Sequence, residues 1–407
     1  MAIDFRESSG IAFAALRANK LRSLLTLLGT IIGVSAVIAV ISLVQGMNRY
    51  VSDRLLAEGS DVFWVDKYGL VLDEDAFREA AKRPDITEAD ADAVADVLGG
   101  QAYVKSEASA GLEVKAGSRK AQRINVRGVA GDYQIVDALE VSDGRALAAL
   151  DVERRRSVAV LGWEVADQLF PGTDPAGRSV DVEGRRFEIA GVAKKKGSFF
   201  GESQDRYVLV PLGALQKLLP YEPGITIGVK VRDAGRLQQV QDEVRAVLRA
   251  RRHVKVGAPD DFGITTAEAF LDLWKSFTGT AFIVVVGVAG ISLVVGGIVI
   301  MNTMLVSVTE RTREIGVRKA LGARRRDVLL QFLVEAVTLS LVGGAIGVGL
   351  GVALALIIGA ISPLPSAVSG PAILLGVAMS ALVGVFFGVY PAARAARLDP
   401  VDALRYE

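Results

Sequence analysis

The 407-residue sequence has no cysteine and a single histidine, His253. The first absence excludes a disulfide framework, a thiolate nucleophile and an iron–sulfur site. It suits a domain outside the reducing cytosol but does not require one. The second removes most zinc sites and the usual general base. No G-x-x-x-x-G-K-[ST] run occurs, so no phosphate loop of that type binds ATP here. An excess of one charge is missing too: 47 basic residues face 46 acidic ones, which argues against nucleic acid as a partner. Apolar residues, in contrast, make up 51% of the chain and the mean hydropathy is +0.37, too high for a soluble protein of this length.

The apolar residues are gathered into runs. Ser23 to Asn48 carries no charge, Ser276 to Thr309 carries none, and after Glu335 the next charge is Arg394. A bilayer core needs roughly 20 apolar residues per helix, and Pro363, Pro365 and Gly370-Pro371 divide the last run in two. Four transmembrane helices are therefore expected, over 23–45, 276–308, 328–358 and 371–393, the second long enough to project beyond the membrane. Basic residues set the orientation. Four lie in the first 22 residues, seven in 307–327 and none in 359–370. Segment 1–22, the 309–327 connection and the 394–407 tail are expected on the cytoplasmic side, with the 359–370 loop and segment 46–275 outside. The first apolar run exceeds a signal-peptide core. Ile11 and Leu16 alternating with Arg6, Arg17 and Lys20 suggest a helix lying on the inner membrane face.

Segment 46–275 has soluble composition and the length of a domain. Asp61–Asp66 reads as a strand. Thr87 followed by Asp90 resembles a capping box. Ser179–Val182, Glu183-Gly184 and Arg185–Val192 read as a hairpin on a two-residue turn. Leu237, Val240, Val244, Val247 and Leu248 share one face of a helix over about 234–251. The expected fold class is membrane α-helical with an inserted extracytoplasmic α+β domain of two lobes, the middle lobe at about 108–212.

No enzyme constellation accompanies this layout. His253, at a helix end, reads as a solvated surface residue, and Asp260-Asp261 as caps or loop acids. The loop Lys194–Gly201, with Phe199 and Phe200, is open to two readings, a docking tip or a solvated loop. No charge sits at mid-membrane, and Glu335 falls near the inner surface, which argues against proton coupling. Gly343, Gly347 and Gly351 in the third span, and Gly376, Ser380, Gly384 and Gly388 in the fourth, recur every four residues. Small residues at that spacing let a second helix approach closely, within the chain or in a dimer.

The segment Thr309-Glu310-Arg311-Thr312-Arg313-Glu314-Ile315-Gly316-Val317-Arg318-Lys319-Ala320-Leu321-Gly322-Ala323 mixes acids, bases and apolar residues in a way that topology-setting charge alone leaves unexplained. It predicts a short helix ending at Gly322, with Ile315, Ala320 and Leu321 available to a partner. This run closely resembles the cytoplasmic segment of the MacB/LolC/FtsX family of ABC transporter permeases. Leu16–Thr26 resembles the family's entry into the first span. Val160-Leu161-Gly162, Leu169–Gly172 and Asp174–Gly177 are similar to its periplasmic domain, and Tyr390–Ala396 with Asp399–Arg405 to its C-terminal end.

The resemblance implies a homodimer or heterodimer with a second permease copy, served by a separate ABC ATPase subunit, with or without a periplasmic adaptor. ATP and Mg would be bound by that ATPase and no cofactor by this chain, and the contacts would be to membrane lipids rather than nucleic acid. It implies that Glu310, Arg311, Arg313, Glu314, Ile315, Gly316, Arg318, Lys319, Ala320, Leu321 and Gly322 form the ATPase-coupling helix. MacB itself carries its ATPase fused at the N-terminus, whereas this sequence begins at the amphipathic stretch, so the ATPase is expected in another chain. The implied role is export of a peptide, a small toxic compound or a lipid-linked cargo from the inner membrane. The alternative is ATPase-driven activation of an extracytoplasmic partner such as a cell-wall hydrolase.

Overall fold

The computed structural model describes residues 20–404 except positions 60 and 72. The surface helix expected over 1–22 lies outside the described residues, save that positions 20–22 already belong to the first helix, α1 (Lys20–Glu58). The chain forms two compact units, Met1–Tyr50 with Lys275–Glu407, and Val51–Trp274.

In the second unit, β1 (Val62–Asp66) leads through α2 (Glu88–Leu98) to the long β2 (Ala102–Ala116), which turns into β3 (Arg119–Gly131). Next come β4 (Val141–Gly144), β5 (Val158–Leu161), β6 (Ser179–Val182), β7 (Arg185–Ala193) and the small hairpin β8 (Ser198–Phe199) and β9 (Glu202–Ser203). β10 (Tyr207–Pro211), β11 (Thr226–Val231), α3 (Leu237–Arg251) and β12 (Gly263–Thr266) complete the unit.

Ten strands form one sheet, yet it holds two architectures. β12, β1, β11 and the first half of β2 lie side by side, all antiparallel. With α2 and α3 crossing over, this is the split βαβ arrangement of ferredoxin-like folds. Alternation along these strands turns Phe63, Val65, Val104, Ile227 and Val229 to one face, where Val94, Leu98, Val240, Val244 and Leu248 of the helices cover them. α2 starts where the sequence predicts: Thr87 and Asp90 form the capping box, the Thr87 N–H donating to Asp90 at 3.1 Å. The second half of β2 continues through β3, β10, β5, β7 and β6, and β6 pairs back onto β2, closing a six-stranded ring. Its interior holds Val114, Ile124, Val126, Leu161, Phe187, Ile189, Val208 and Val210. Closure leaves no free edge on the ring. The β6–β7 hairpin turns on Glu183 and Gly184, both at positive φ (48° and 81°), as a two-residue turn demands.

The first unit contains α1 up to Tyr50, α4 (Ala267–Glu310) from Lys275 onward, α5 (Thr312–Ala320), α6 (Arg325–Ile361), α7 (Gly370–Arg397) and α8 (Pro400–Leu404). Four of these, α1, α4, α6 and α7, are long and apolar enough to cross a membrane. Each outruns its expected span; α4 has 44 residues, roughly 65 Å at 1.5 Å per residue. Ser362 and the two prolines after it stop α6. Ser369 starts α7 by accepting the Ala372 N–H at 3.3 Å.

Small residues set the packing of these helices. A methyl group at Gly347 would lie 2.9 Å from the Ile31 carbonyl, and one at Gly351 would lie 2.8 Å from Ile38 Cβ, both on α1. Gly343 sits against Thr30 of the same helix. Gly376 of α7 faces Ile38 (2.9 Å), while Gly384 and Gly388 face Val337 (2.8 Å) and Ala336 (2.5 Å) of α6. Ser340 donates to the Ser380 carbonyl at 2.6 Å, and Ser380 to that of Gly376 at 3.0 Å, so both hydroxyls are satisfied without water. All seven small residues predicted for helix packing are thus buried within the chain. α1 meets α4 where Gly29 lies on Gly296, with the Thr26 and Thr303 hydroxyls 3.0 Å apart.

Candidate functional site

The connection between α4 and α6 is a built structure. At Arg311 the backbone leaves the helix (φ −102°, ψ 16°), ending α4 and beginning α5. α5 ends in a Schellman motif: Ala323 N–H donates to Arg318 O and Gly322 N–H to Lys319 O, each at 3.1 Å. That geometry needs a left-handed residue after the helix, and Gly322 supplies it with φ +97°. α6 then starts on Asp327, whose carboxylate accepts the Arg324 N–H at 3.0 Å.

The inner face of α5 is anchored at several points. Thr312, Ile315 and Gly316 are buried. Ile315 joins Met304, Val308, Phe332, Ala392 and Ala396 in a core drawn from α4, α6 and α7. A methyl at Gly316 would lie 2.8 Å from Ala403 Cβ, so α8 lies directly beneath it. Lys319 Nζ donates to the Ala396 carbonyl (3.0 Å) and to that of Leu398. These groups close the last turn of α7, where a helix has no donors of its own. Arg318 donates to Gln331 at 2.9 Å and pairs with Glu314 at 2.5 Å. Arg311 reaches Glu335 at 3.4 Å, so the carboxylate that the sequence places near the inner surface is an ion-pair partner at the foot of α6.

The outer face carries Arg313, Glu314, Val317, Ala320 and Leu321, followed by Gly322 and the Arg324-Arg325-Arg326 run, with Glu310 exposed at the end of α4. Leu321 is 84% exposed and Val317 44%. One sequence expectation is corrected here. Ile315 is 3% exposed and is not available to a partner, because it lies on the same side as Thr312 and Gly316, one helical turn apart, and that side faces the core. Of the three apolar positions named from sequence, Ala320 and Leu321 are presented. Val317, one turn before Leu321, joins them and had been overlooked, although its spacing from Leu321 is the signal that finds it. Lys319 and Gly316 turn towards α7 and α8, contacts that no local pattern announces.

His253 is exposed at φ +54°. Asp260 and Asp261 are held by Arg245, Arg249 and Arg252. The Lys194–Gly201 loop is tied down by Asp205, which accepts the Lys196 and Gly197 N–H groups at 2.8 Å each. Among the described residues no three His, Cys, Asp or Glu side chains converge as a metal site.

Four membrane-crossing helices, an inserted α/β body and a short helix that is pinned on one side and exposes Val317 and Leu321 on the other define a multi-spanning membrane protein. Comparison with known proteins agrees. The chain matches the MacB-like periplasmic core domain over residues 23–247 and the FtsX-like permease C-terminal domain over 274–400. It is 37% identical over 397 residues to the macrolide export ATP-binding/permease protein MacB of Bdellovibrio bacteriovorus, covering 97% of this chain and 61% of that protein. Against YknZ of Bacillus subtilis, described as an ABC transporter permease, identity is 34% over 405 residues, covering 98% of this chain and 99% of the other. The periplasmic region of MacB from Actinobacillus actinomycetemcomitans aligns with a TM-score of 0.45 at 17% identity, over 55% of this chain and 96% of that one. The chain belongs to the MacB/FtsX-type family of ABC transporter permeases. It spans 61% of the length of the Bdellovibrio MacB relative.

Proposed function

We propose that this chain is the permease subunit of an ABC exporter and that α5, with Glu310 and Arg311 before it and Leu321 and Gly322 after it, is the coupling helix on which a separate ATPase subunit docks. The observation that carries the reading is the exposed Leu321–Val317 pair on a helix whose other side is bound to α6, α7 and α8. An exposed apolar pair on a rigid base suits insertion into a partner's cleft. Ile315, Gly316 and Lys319 serve as the base, and Arg313, Glu314, Val317, Ala320 and Leu321 as the contact face.

In this reading 23–45, 276–308, 328–358 and 371–393 lie in the inner membrane, with 46–275 and 359–370 outside. Segments 1–22, 309–327 and 394–407 are cytoplasmic. A second permease copy completes the transporter, ATP and Mg sit on the ATPase, and nucleotide-driven closing moves the outer domain through α4. The cargo is a peptide, a small toxic compound or a lipid-linked molecule; the relative named for macrolide export favours the second.

The test is to isolate the full chain from its native membrane as Val317→Asp/Leu321→Asp. We expect the near-stoichiometric ATPase present with wild type to be lost, with the circular dichroism of the chain unchanged. An ATPase recovered in the same amount from both would overturn the coupling role of this face.

A further inference from the structure

At the end of the membrane bundle remote from α5, helices α1, α4 and α7 enclose a groove of about 340 Å³. Nearer to α5 the same three helices meet closely. Gly33 of α1 lies on Leu293 of α4, Gly376 of α7 on Ile38 of α1, and Gly297 of α4 against the Phe387 ring of α7. Beyond that level they leave a hollow whose floor is the buried Ile41, Thr278 and Ala372 and whose rim is the exposed Lys275 and Leu375. The Thr278 hydroxyl lies 3.2 Å from Asn48 Oδ1, tying α1 to α4 across the floor. Gly279 enlarges the space: a methyl there would meet no atom within 4 Å among the described residues.

The groove is graded in polarity along its length. Ile41, Phe282 and Leu375 stand at its deep end, all within charge-free runs of the sequence. Gln45, Asn48 and Lys275 stand at its outer end, Lys275 being the last charge before the run that begins at Ser276. Ile41 to Asn48 is about 10 Å of helix. A volume of 340 Å³ over that length leaves a cross-section of about 35 Å², less than half that of a helix roughly 10–12 Å across. The groove therefore admits an extended hydrocarbon chain and not a helix. Water does not settle in an apolar hollow, and an empty one forfeits the dispersion contacts of its walls. Within a membrane the material at hand is lipid tail, as apolar as the leucine and isoleucine it would touch.

We propose that this groove holds one acyl chain of a bilayer phospholipid, with the tail along Phe282 and Leu375 and the headgroup level with Lys275 and Asn48. The polarity of such a lipid changes in the same direction as that of the groove, and the side-chain N–H groups at the outer end are donors of the kind phosphate oxygens accept. The proposal rests on the membrane-crossing helices and is independent of the coupling role of α5. A lipid held there braces α4 against α7 where the two helices stand apart.

The test places the full chain in nanodiscs of phosphatidylcholine and phosphatidylglycerol with a trace of a phospholipid bearing a diazirine midway along one acyl chain. After irradiation, mass spectrometry locates the label. We expect peptides covering 275–282 and 371–375 to carry several-fold more label than 291–298, an α4 stretch whose Ile291, Val294, Val295 and Ile298 are exposed but lie outside the groove. Gly279→Leu fills the hollow with a residue that helices favour and lowers labelling of the groove roughly fivefold or more. Gly287→Leu, at another α4 glycine where an added methyl meets no described atom within 4 Å, leaves it unchanged. Leu375→Trp narrows the groove from the α7 side and acts in the same direction as Gly279→Leu. Even labelling along α4, or labelling that Gly279→Leu leaves intact, means contact with bulk lipid only and overturns the proposal. Labelling confined to particles with one chain and absent from those with two also overturns it, because a second copy of this chain would then be the occupant.

Discussion

Removing the Lys319 ammonium tests whether α5 is mechanically tied to the last membrane helix. Its two acceptors, the carbonyls of Ala396 and Leu398, close the end of α7 and have no intrahelical donor. A hydrogen bond from a charged donor contributes about 1.5–3 kcal/mol. Lys319 is only partly buried, so water takes over some of the lost bonding. The net cost of Lys319→Met is then about 2 kcal/mol, less than two isolated bonds would suggest. Since 1.4 kcal/mol is tenfold, opening of this corner becomes roughly 30-fold more frequent. Hydrogen–deuterium exchange of the full chain in detergent, read on peptides covering 312–323 and 394–404, measures that opening directly. Lys319→Arg keeps a charged donor and is expected to stay near wild type. Exchange in Lys319→Met within about threefold of wild type would refute the argument, because the bonds would then carry no net stability.

Two further outcomes concern the outer body. Burial alone would raise the Glu107 carboxyl, but its hydrogen bonds from Arg127 and the charges of Arg127 and Lys105 outweigh burial and hold it at about 2, against an ordinary 4.5. A carboxyl held low stabilises the fold above the unfolded value and loses that contribution as pH falls from 4.5 towards 2, about 3 kcal/mol in all. In denaturant titrations followed by circular dichroism, the stability gap between wild type and Glu107→Gln should shrink by about that amount between pH 6 and pH 2; a constant gap contradicts it. Arg252, with a side chain 7% exposed, bonds Asp261 at 2.9 Å, the Pro84 carbonyl at 2.7 Å and the Asp85 carbonyl at 3.1 Å, joining the end of α3 to the start of α2. Arg252→Met strips these acceptors at once and should cost the body about 3 kcal/mol in the same assay. A loss under 1 kcal/mol would mean that water replaces the guanidinium.

The membrane helices were legible because a 20-residue apolar run has few other uses, and the prolines at 363 and 365 mark the break between the last two. The Thr87–Asp90 capping box and the Glu183-Gly184 hairpin were legible for a related reason: the groups that bond lie within a few residues of one another. Ring closure by β6 on β2 was not, because Val182 meets Val114 across almost seventy positions and nothing local selects that partner. The glycine strips show the boundary well. Their spacing announces close approach, yet only the structure assigns Gly347 and Gly351 to α1 and Gly384 and Gly388 to α6. Ile315 was misplaced because its segment looks uniformly amphipathic in sequence, whereas the orientation of α5 depends on the distant Ala396 and Ala403.

The backbone-to-backbone fit of α6 against its neighbours also bears on how variation in this protein is to be read. At Gly351 and Gly384 a single added methyl collides at 2.8 Å with rigid atoms, an α-carbon at Gly384 and a branched β-carbon at Gly351. A saturation mutagenesis map of activity would mark these sites as intolerant as any contact residue, though neither need touch a partner. Intolerance along the membrane helices therefore reports geometry, and sites of recognition are better sought where substitution changes activity while leaving the amount of folded protein alone.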